Sequence, residues 1–409
     1  MAVSQQDMLN VLADPVFDNS IVKYQYHAYQ PFSQSTLNNS DEIRMVVQQM
    51  DLYTLPSESF ISLEGHVTFT ETTTITTQSL SNNFPAFLFD EIRFELNNVD
   101  IDHTKNVGIT TLMKNLCSLE QSEENGMLVS GWNRKETFDV ENQEHFNVIL
   151  PLKKLLGFCE DYKKILVNVK QELVLLRSRN DLNCYVSASD QTTKIHLDKV
   201  TWWVPHVILE DVHKLKLLQV LNNTVPITMS FRTWDLYELP LVPQSNSHVW
   251  NIKTSTDLEK PRHLILAFQK NRKFNRQIDS TRFDNSNIST VKLYLNSDIY
   301  PYETLNIDWA NNHSTAICYF DYSKFQSVYY GEKRDKPLLD VKDFKANYPM
   351  YVIDCSRQNE SIKNSIVDIR LDFQTSSANI PANTAAYALI LHDKLVKYNP
   401  MTGIVEKII

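Results

Sequence analysis

The dominant pattern along the chain is apolar and polar residues in strict alternation, the mark of strands with one dry face and one wet face. From Phe60 to Thr70, Ile61, Leu63, Gly65, Val67 and Phe69 fall on one side, and Ser62, Glu64, His66, Thr68 and Thr70 on the other. The same period sets Ile92, Phe94 and Leu96 against Arg93, Glu95 and Asn97, and Val167, Val169, Leu173 and Leu175 against Asn168, Lys170 and Glu172. Thr201 to Leu209, His263 to Gln269, Ser289 to Leu295 and Ala385 to Leu391 are further strand-like runs. Helical periodicity is confined to Thr110 to Leu119, a turn after Pro151, Asp211 to Leu221 and Tyr322 to Tyr330. Many short strands between polar turns predict an all-β sandwich or barrel.

The chain also repeats itself. DLYTLP from Asp51 matches DLYELP from Asp235 at an offset of 184; the strand end Leu96-Asn97 matches Leu295-Asn296 at 199; Val167 to Leu173 matches Val367 to Phe373 at 200. Three matches in one order with similar offsets predict a duplicated β unit of somewhat under 200 residues. The predicted layout is an N-terminal arm over 1–40, a first unit over 41–209, a linker helix over 210–224, a second unit over 225–396 and a tail over 397–409.

Composition narrows the function. Seven glycines in 409 residues fall far below the average share of about 7%, while asparagine numbers 35. Neither GxGxxG nor GxxxxGK[ST] occurs, which disfavours phosphate-loop chemistry. A net charge of −9 disfavours a chain that wraps nucleic acid with its whole surface. Cys117, Cys159, Cys184, Cys318 and Cys355 are odd in number and lack a CxxC pair, so they are expected as buried, reduced thiols. No secretion signal or membrane-spanning apolar run is expected, and the five Asn-x-Ser/Thr triplets, at Asn38, Asn222, Asn287, Asn312 and Asn359, are expected to be incidental.

No residue set has the spacing of a catalytic or metal site. None of the eleven histidines pairs with another at i+2, i+3 or i+4. His206, beside Trp202, Trp203 and Pro205, is expected to pack in the core or at its rim. Asp354, Cys355 and Ser356 lack the elbow of a nucleophile. Glu123-Glu124 and Glu160-Asp161 are expected on solvated edges, and no calcium-loop spacing occurs. Arg262, Lys270, Arg272, Lys273 and Arg276, interleaved with Phe268 and Phe274, could touch phosphate, but a solvated strand end or subunit contact is the expected role. Thr70 to Thr77 is a β-prone polar run suited to a solvent-facing strand or an exposed loop.

FDEIRFELNNVDIDHTKNVGITTLMKNLCSL from Phe89, and WDLYELP, KPRHLILAFQKNRKFN, FDNSNISTVKLYLNSDIYPYE and YVIDCSRQNESIKNSIVDIRLDF in the second half, resemble the double jelly-roll major capsid proteins. The likeness is nearest to those of Polinton or Maverick elements and of virus-like genes in insect genomes, and runs from about Glu42 to Asn399. The resemblance implies two consecutive eight-stranded antiparallel jelly rolls and a homotrimer forming a pseudo-hexameric capsomer in an icosahedral virion of a DNA virus. It also implies synthesis in the host cytoplasm and contact with neighbouring capsomers and a penton or minor capsid protein. It implies no catalytic residue, cofactor, metal, transmembrane segment or sequence-specific nucleic-acid contact. A tandem β-sandwich that binds or cleaves glycans, stacking sugars on Trp132, Trp202, Trp203, Trp234, Trp250 and Trp309, is the alternative expectation. A β-rich scaffold without self-assembly is a third.

Overall fold

The computed structural model describes residues 20–32, 36–48, 53–69, 78–135, 138–187, 193–222, 226–252, 261–331, 336–357, 367–376 and 378–408. The Thr70 to Thr77 run, Asp51-Leu52, Asn359 and residues 1–19 of the expected arm lie outside them.

The first half builds two facing antiparallel sheets from eight principal strands. These are β1 (Ile21–Tyr29), β2 (Glu42–Val47), β3 (Phe60–Phe69), β4 (Phe89–Leu96), β5 (Val99–Lys105), β6 (His145–Pro151), β7 (Gln171–Arg177) and β8 (Thr193–Leu209). One sheet runs β1-β8-β3-β6 and the other β2-β7-β4-β5. The second half repeats the plan with β9 (Ile227–Leu239), β10 (Ser247–Ile252), β11 (Pro261–Lys270), β12 (Ile288–Leu295), β13 (Asp298–Tyr300), β14 (Met350–Asp354), β15 (Ile369–Thr375) and β16 (Thr384–Tyr398). Its sheets run β9-β16-β11-β14 and β10-β15-β12-β13, the same strand order. Each half is therefore an eight-stranded jelly roll.

Alternation supplies the cores. Ile61, Leu63 and Val67 of β3, Ile92, Phe94 and Leu96 of β4, and Leu173 and Leu175 of β7 are buried as the sequence predicts. Asparagine closes turns that glycine usually closes. Asn97 and Asn98 both have positive φ in the two-residue loop joining β4 to β5, and Asn296 does the same between β12 and β13. The Leu-Asn repeat thus falls on corresponding hairpins, and the Val167 and Val367 phrases lead into the corresponding strands β7 and β15.

Several expectations need correction. Residues 21–29 are no part of an arm: they form β1, paired with β8 from Ile21↔Leu209 to Tyr29↔Trp202. Part of the expected tail, Val405–Ile408, pairs with the end of β16. The DLYTLP match fails topologically, because Tyr53–Thr54 lies on the β3 side of β8 whereas β9 occupies the opposite edge of β16. The run from Val167 to Leu175 is not one strand. Leu166–Val167 pairs with Tyr53–Thr54, Asn168 takes φ 49°, and β7 then continues in the other sheet.

Four helices of seven or more residues accompany the sheets among the described residues. α1 (Val107–Ser118) is entirely buried, α2 (Asp211–Asn222) follows β8 in the chain, and α3 (Thr315–Tyr330) begins seven residues before the predicted Tyr322. α4 (Val341–Asn347), capped by Asp340 accepting from the Asp343 amide, has no counterpart among the predicted helices.

Candidate functional site

The residues nominated for chemistry do not converge. All five cysteines are buried, and burial pushes the Cys355 thiol up to about 12, far from a reactive thiolate. Asp354 beside it is exposed on the opposite face. His206 is 5% exposed, stacks on His27 at 3.9 Å and has Nε2 2.9 Å from the Tyr29 hydroxyl. Burial holds its pKa down at about 4, as a packed neutral histidine requires. Trp132, Trp202 and Trp234 are sealed in the core, which removes half the sugar platforms that the glycan alternative needs.

The basic run is spent on internal pairs. Arg262 meets Asp393 at 2.7 Å, Arg272 grips Asp284 at 2.8 and 2.7 Å, and Lys273 meets Glu238 at 2.6 Å. Phe268 is core and Phe274 is exposed. Three of the five cations in the run are thus neutralised within the chain. Glu124 is likewise engaged, with Arg134 at 2.9 Å and Lys135 at 3.2 Å.

Glu160 and Asp161 overturn the solvated-edge expectation. They end the short helix Gly157–Asp161 and sit in the seam between the two rolls. Glu160 receives the ammonium of Lys114, from the buried helix α1, and the hydroxyls of Tyr329 and Tyr330, from α3, at 3.0 and 2.7 Å. The same ammonium lies 4.5 Å from the centroid of the Trp234 ring. Burial pushes the Lys114 pKa down to about 8 even with the carboxylate beside it. Burial also opposes the charge on Glu160, but Lys114 and Tyr330 hold its carboxyl below the usual range.

Asp161 accepts from the Arg232 guanidinium at 2.8 and 2.6 Å and from the Arg232 amide at 2.9 Å. The guanidinium stacks on the Tyr329 ring at 3.6 Å. Next to Arg232 on β9, Thr233 donates its hydroxyl at 2.6 Å to the buried Asp102 of β5, which also accepts from the Phe158 amide at 2.8 Å. Burial raises the Asp102 pKa above the usual carboxylate range. Backbones touch here as well: a Cβ on Gly157 would lie 1.8 Å from the Arg232 carbonyl oxygen. Tyr398 at the end of β16 donates to the carbonyls of Val167 and Asn168 at 3.0 and 2.7 Å, and Tyr322 of α3 donates to Leu116 of α1 at 2.9 Å. Bonds this directional fix one relative placement of the rolls, which a greasy contact alone would leave free to slide.

Outward surfaces are of a different kind. Eight consecutive residues of β1 are exposed, with Ile21, Val22, Tyr24 and Tyr26 between 42% and 66% accessible. Among the described residues β1 pairs only with β8 and so forms an edge of its sheet. α2 exposes Val212, Leu215, Leu218 and Val220. In the second roll, His263, Cys318, Phe325 and Tyr351 line a cavity of about 280 Å³ under α3. His263 is 4% exposed, and burial lowers its pKa to about 4. Among the described residues no helix is long and apolar enough to cross a membrane.

Two facing-sheet rolls of identical strand order, fused in one chain and bonded across a buried seam, define the double jelly-roll class of protein. The model of the double jelly roll-like domain family matches residues 78–396. The chain therefore belongs to that family.

Solved structures agree on the fold. A chain of the Sputnik virophage, solved by cryo-EM, superposes with a TM-score of 0.62 at 11% identity, covering 99% of this chain and 92% of that one. The mavirus major capsid protein gives 0.58 at 10% identity, covering 98% and 93%. The Faustovirus major capsid protein gives 0.61 at 8% identity, covering 96% and 94%. No curated protein matches the sequence.

Proposed function

We propose that the protein is a structural major capsid protein whose three copies form a pseudo-hexameric capsomer, and that capsomers tile an icosahedral shell. The observation that carries this reading is the seam. Two rolls of one strand order, held rigidly side by side, give one chain two similar edges, and three such chains approximate a hexagon. The exposed apolar β1 edge supports it, because a solvated monomer gains nothing from displaying Ile21, Val22, Tyr24 and Tyr26. The chain divides at α2 into two units, the first beginning at β1. Kinship with Polinton or Maverick elements, synthesis in a host cytoplasm, residence in the virion and contact with a penton protein belong to the same proposal.

Light scattering with negative-stain imaging tests it. The expected result is a species of three times the 47.5 kDa chain mass with hexagonal outlines. A monomer at every concentration, salt and pH tried would overturn it.

A further inference from the structure

Three histidines far apart in sequence stand side by side on the outer face of the first roll. Strand register does this. His66 of β3 is the direct partner of His145 on β6 and of His196 on β8, so the three imidazoles project from one face of three adjacent strands. The His66 ring stacks on His196 at 4.8 Å with 9° between planes, and lies 5.5 Å from His145.

A β-bulge adds a carboxylate. Pairing of β8 with β3 shifts between Leu197 and Lys199, so Asp198 is the extra residue and, with Lys199, faces outward. Bulges commonly re-aim a side chain in this way. Asp198 Oδ2 then lies 2.9 Å from His66 Nδ1. Lys199 is drawn to Glu64 at 3.5 Å, and His196 is held by the Thr68 hydroxyl at 2.9 Å from its Nε2.

We propose that His66, His145 and Asp198 bind one divalent transition-metal cation of the zinc, cobalt or nickel class. One donor atom from each lies within 4.8 Å of the others, so small side-chain rotations bring all three to the roughly 2.0–2.2 Å bond lengths such ions need. Two imidazoles and one carboxylate, with water completing the shell, match the preferences of these ions. Calcium and magnesium, which take six or more oxygen ligands, do not fit. His196 is a positioning residue: its stacked ring fixes the plane of His66. The bound ion ties β6, β3 and β8 together on the solvent face, where the inner core gives no support.

Titration of the metal-stripped full-length protein with zinc chloride, followed by calorimetry, tests the site. One ion per chain is expected, with a rise in Tm, and cobalt should give visible d–d absorption. His66→Ala, His145→Ala and Asp198→Asn should each weaken binding by at least about tenfold and abolish the Tm rise. His213→Ala removes a surface histidine that pairs with Glu210 at 3.1 Å and should change neither. All three ligand positions are surface side chains, and circular dichroism with solution mass verifies folding of each variant. Absence of saturable binding overturns the proposal, as does binding that survives all three substitutions.

Discussion

Glu160→Gln tests the seam most directly. The substitution leaves the Lys114 ammonium with the Tyr330 hydroxyl at 3.3 Å and the Trp234 ring, in a site with no solvent access to its side chain. At an effective dielectric near 20, an ion pair about 4 Å apart is worth about 4 kcal/mol, and breaking a buried pair from one side costs about 3–5 kcal/mol. Lys114→Met is milder, because Glu160 keeps both tyrosine hydroxyls; a cost of about 2 kcal/mol is expected. Replacing both, as Lys114→Met with Glu160→Leu, removes the buried charges together and should cost less than Glu160→Gln alone. Urea unfolding of the full chain, read by tryptophan fluorescence, gives all three values, since Trp234 sits in the seam. A cost below about 1 kcal/mol for Glu160→Gln, or a double variant that costs more than Glu160→Gln alone, would refute the reasoning.

Further outcomes are expected from other parts of the molecule. Gly157→Ala places a methyl against the Arg232 carbonyl, forces the backbones apart and should cost about 2–4 kcal/mol, seen as a lower urea midpoint. His206 and His263, both lowered to about 4 by burial, take up fewer protons folded than unfolded between that pH and 6.5. Their contribution to stability is therefore full above pH 6.5 and lost as pH falls towards 4, by at most about 3 kcal/mol for each histidine, while His103, raised by its hydrogen bond to Asp100, acts in the opposite sense. Asp100, Glu160, Glu172 and Asp235, whose burial is outweighed by cationic neighbours, add to the loss at lower pH. Asp102 and Asp321, raised by burial, oppose it; thermal melts from pH 8 to 4 check the net slope. Val22→Glu with Tyr24→Lys on the exposed β1 edge should lower the assembled mass by light scattering while leaving the unfolding free energy within about 0.5 kcal/mol.

Strands with one dry face were legible in the sequence because burial on one side forces the alternation of β3 and β4, and β11, buried on both faces, was legible as a continuous apolar run. β1 was not: its residues are exposed on both faces, so no dry side imprinted a period on IVKYQYHAY. Glu160 and Asp161 looked like an ordinary acidic loop because their partners Lys114, Arg232, Tyr329 and Tyr330 lie 46 to 170 residues away. Spacing rules for histidine pairs look along one element. His145, His66 and His196 meet across three, through a register that only the folded sheet defines.

Pairing of β1 with the last residues of β8 also sets an order of events during synthesis. The first roll cannot close until Leu209 has left the ribosome, after which the roughly 200 residues of the second roll take ~10–40 s to appear at ordinary elongation rates. Through that interval the half-made chain presents the face that will become the seam. Lys114, Glu160, Asp161 and Asp102 stand ready on it, so the waiting surface is salted with charge and wetted by water. A purely apolar face would hold the final rolls together too, but it would spend those seconds as a site for aggregation with neighbouring nascent chains.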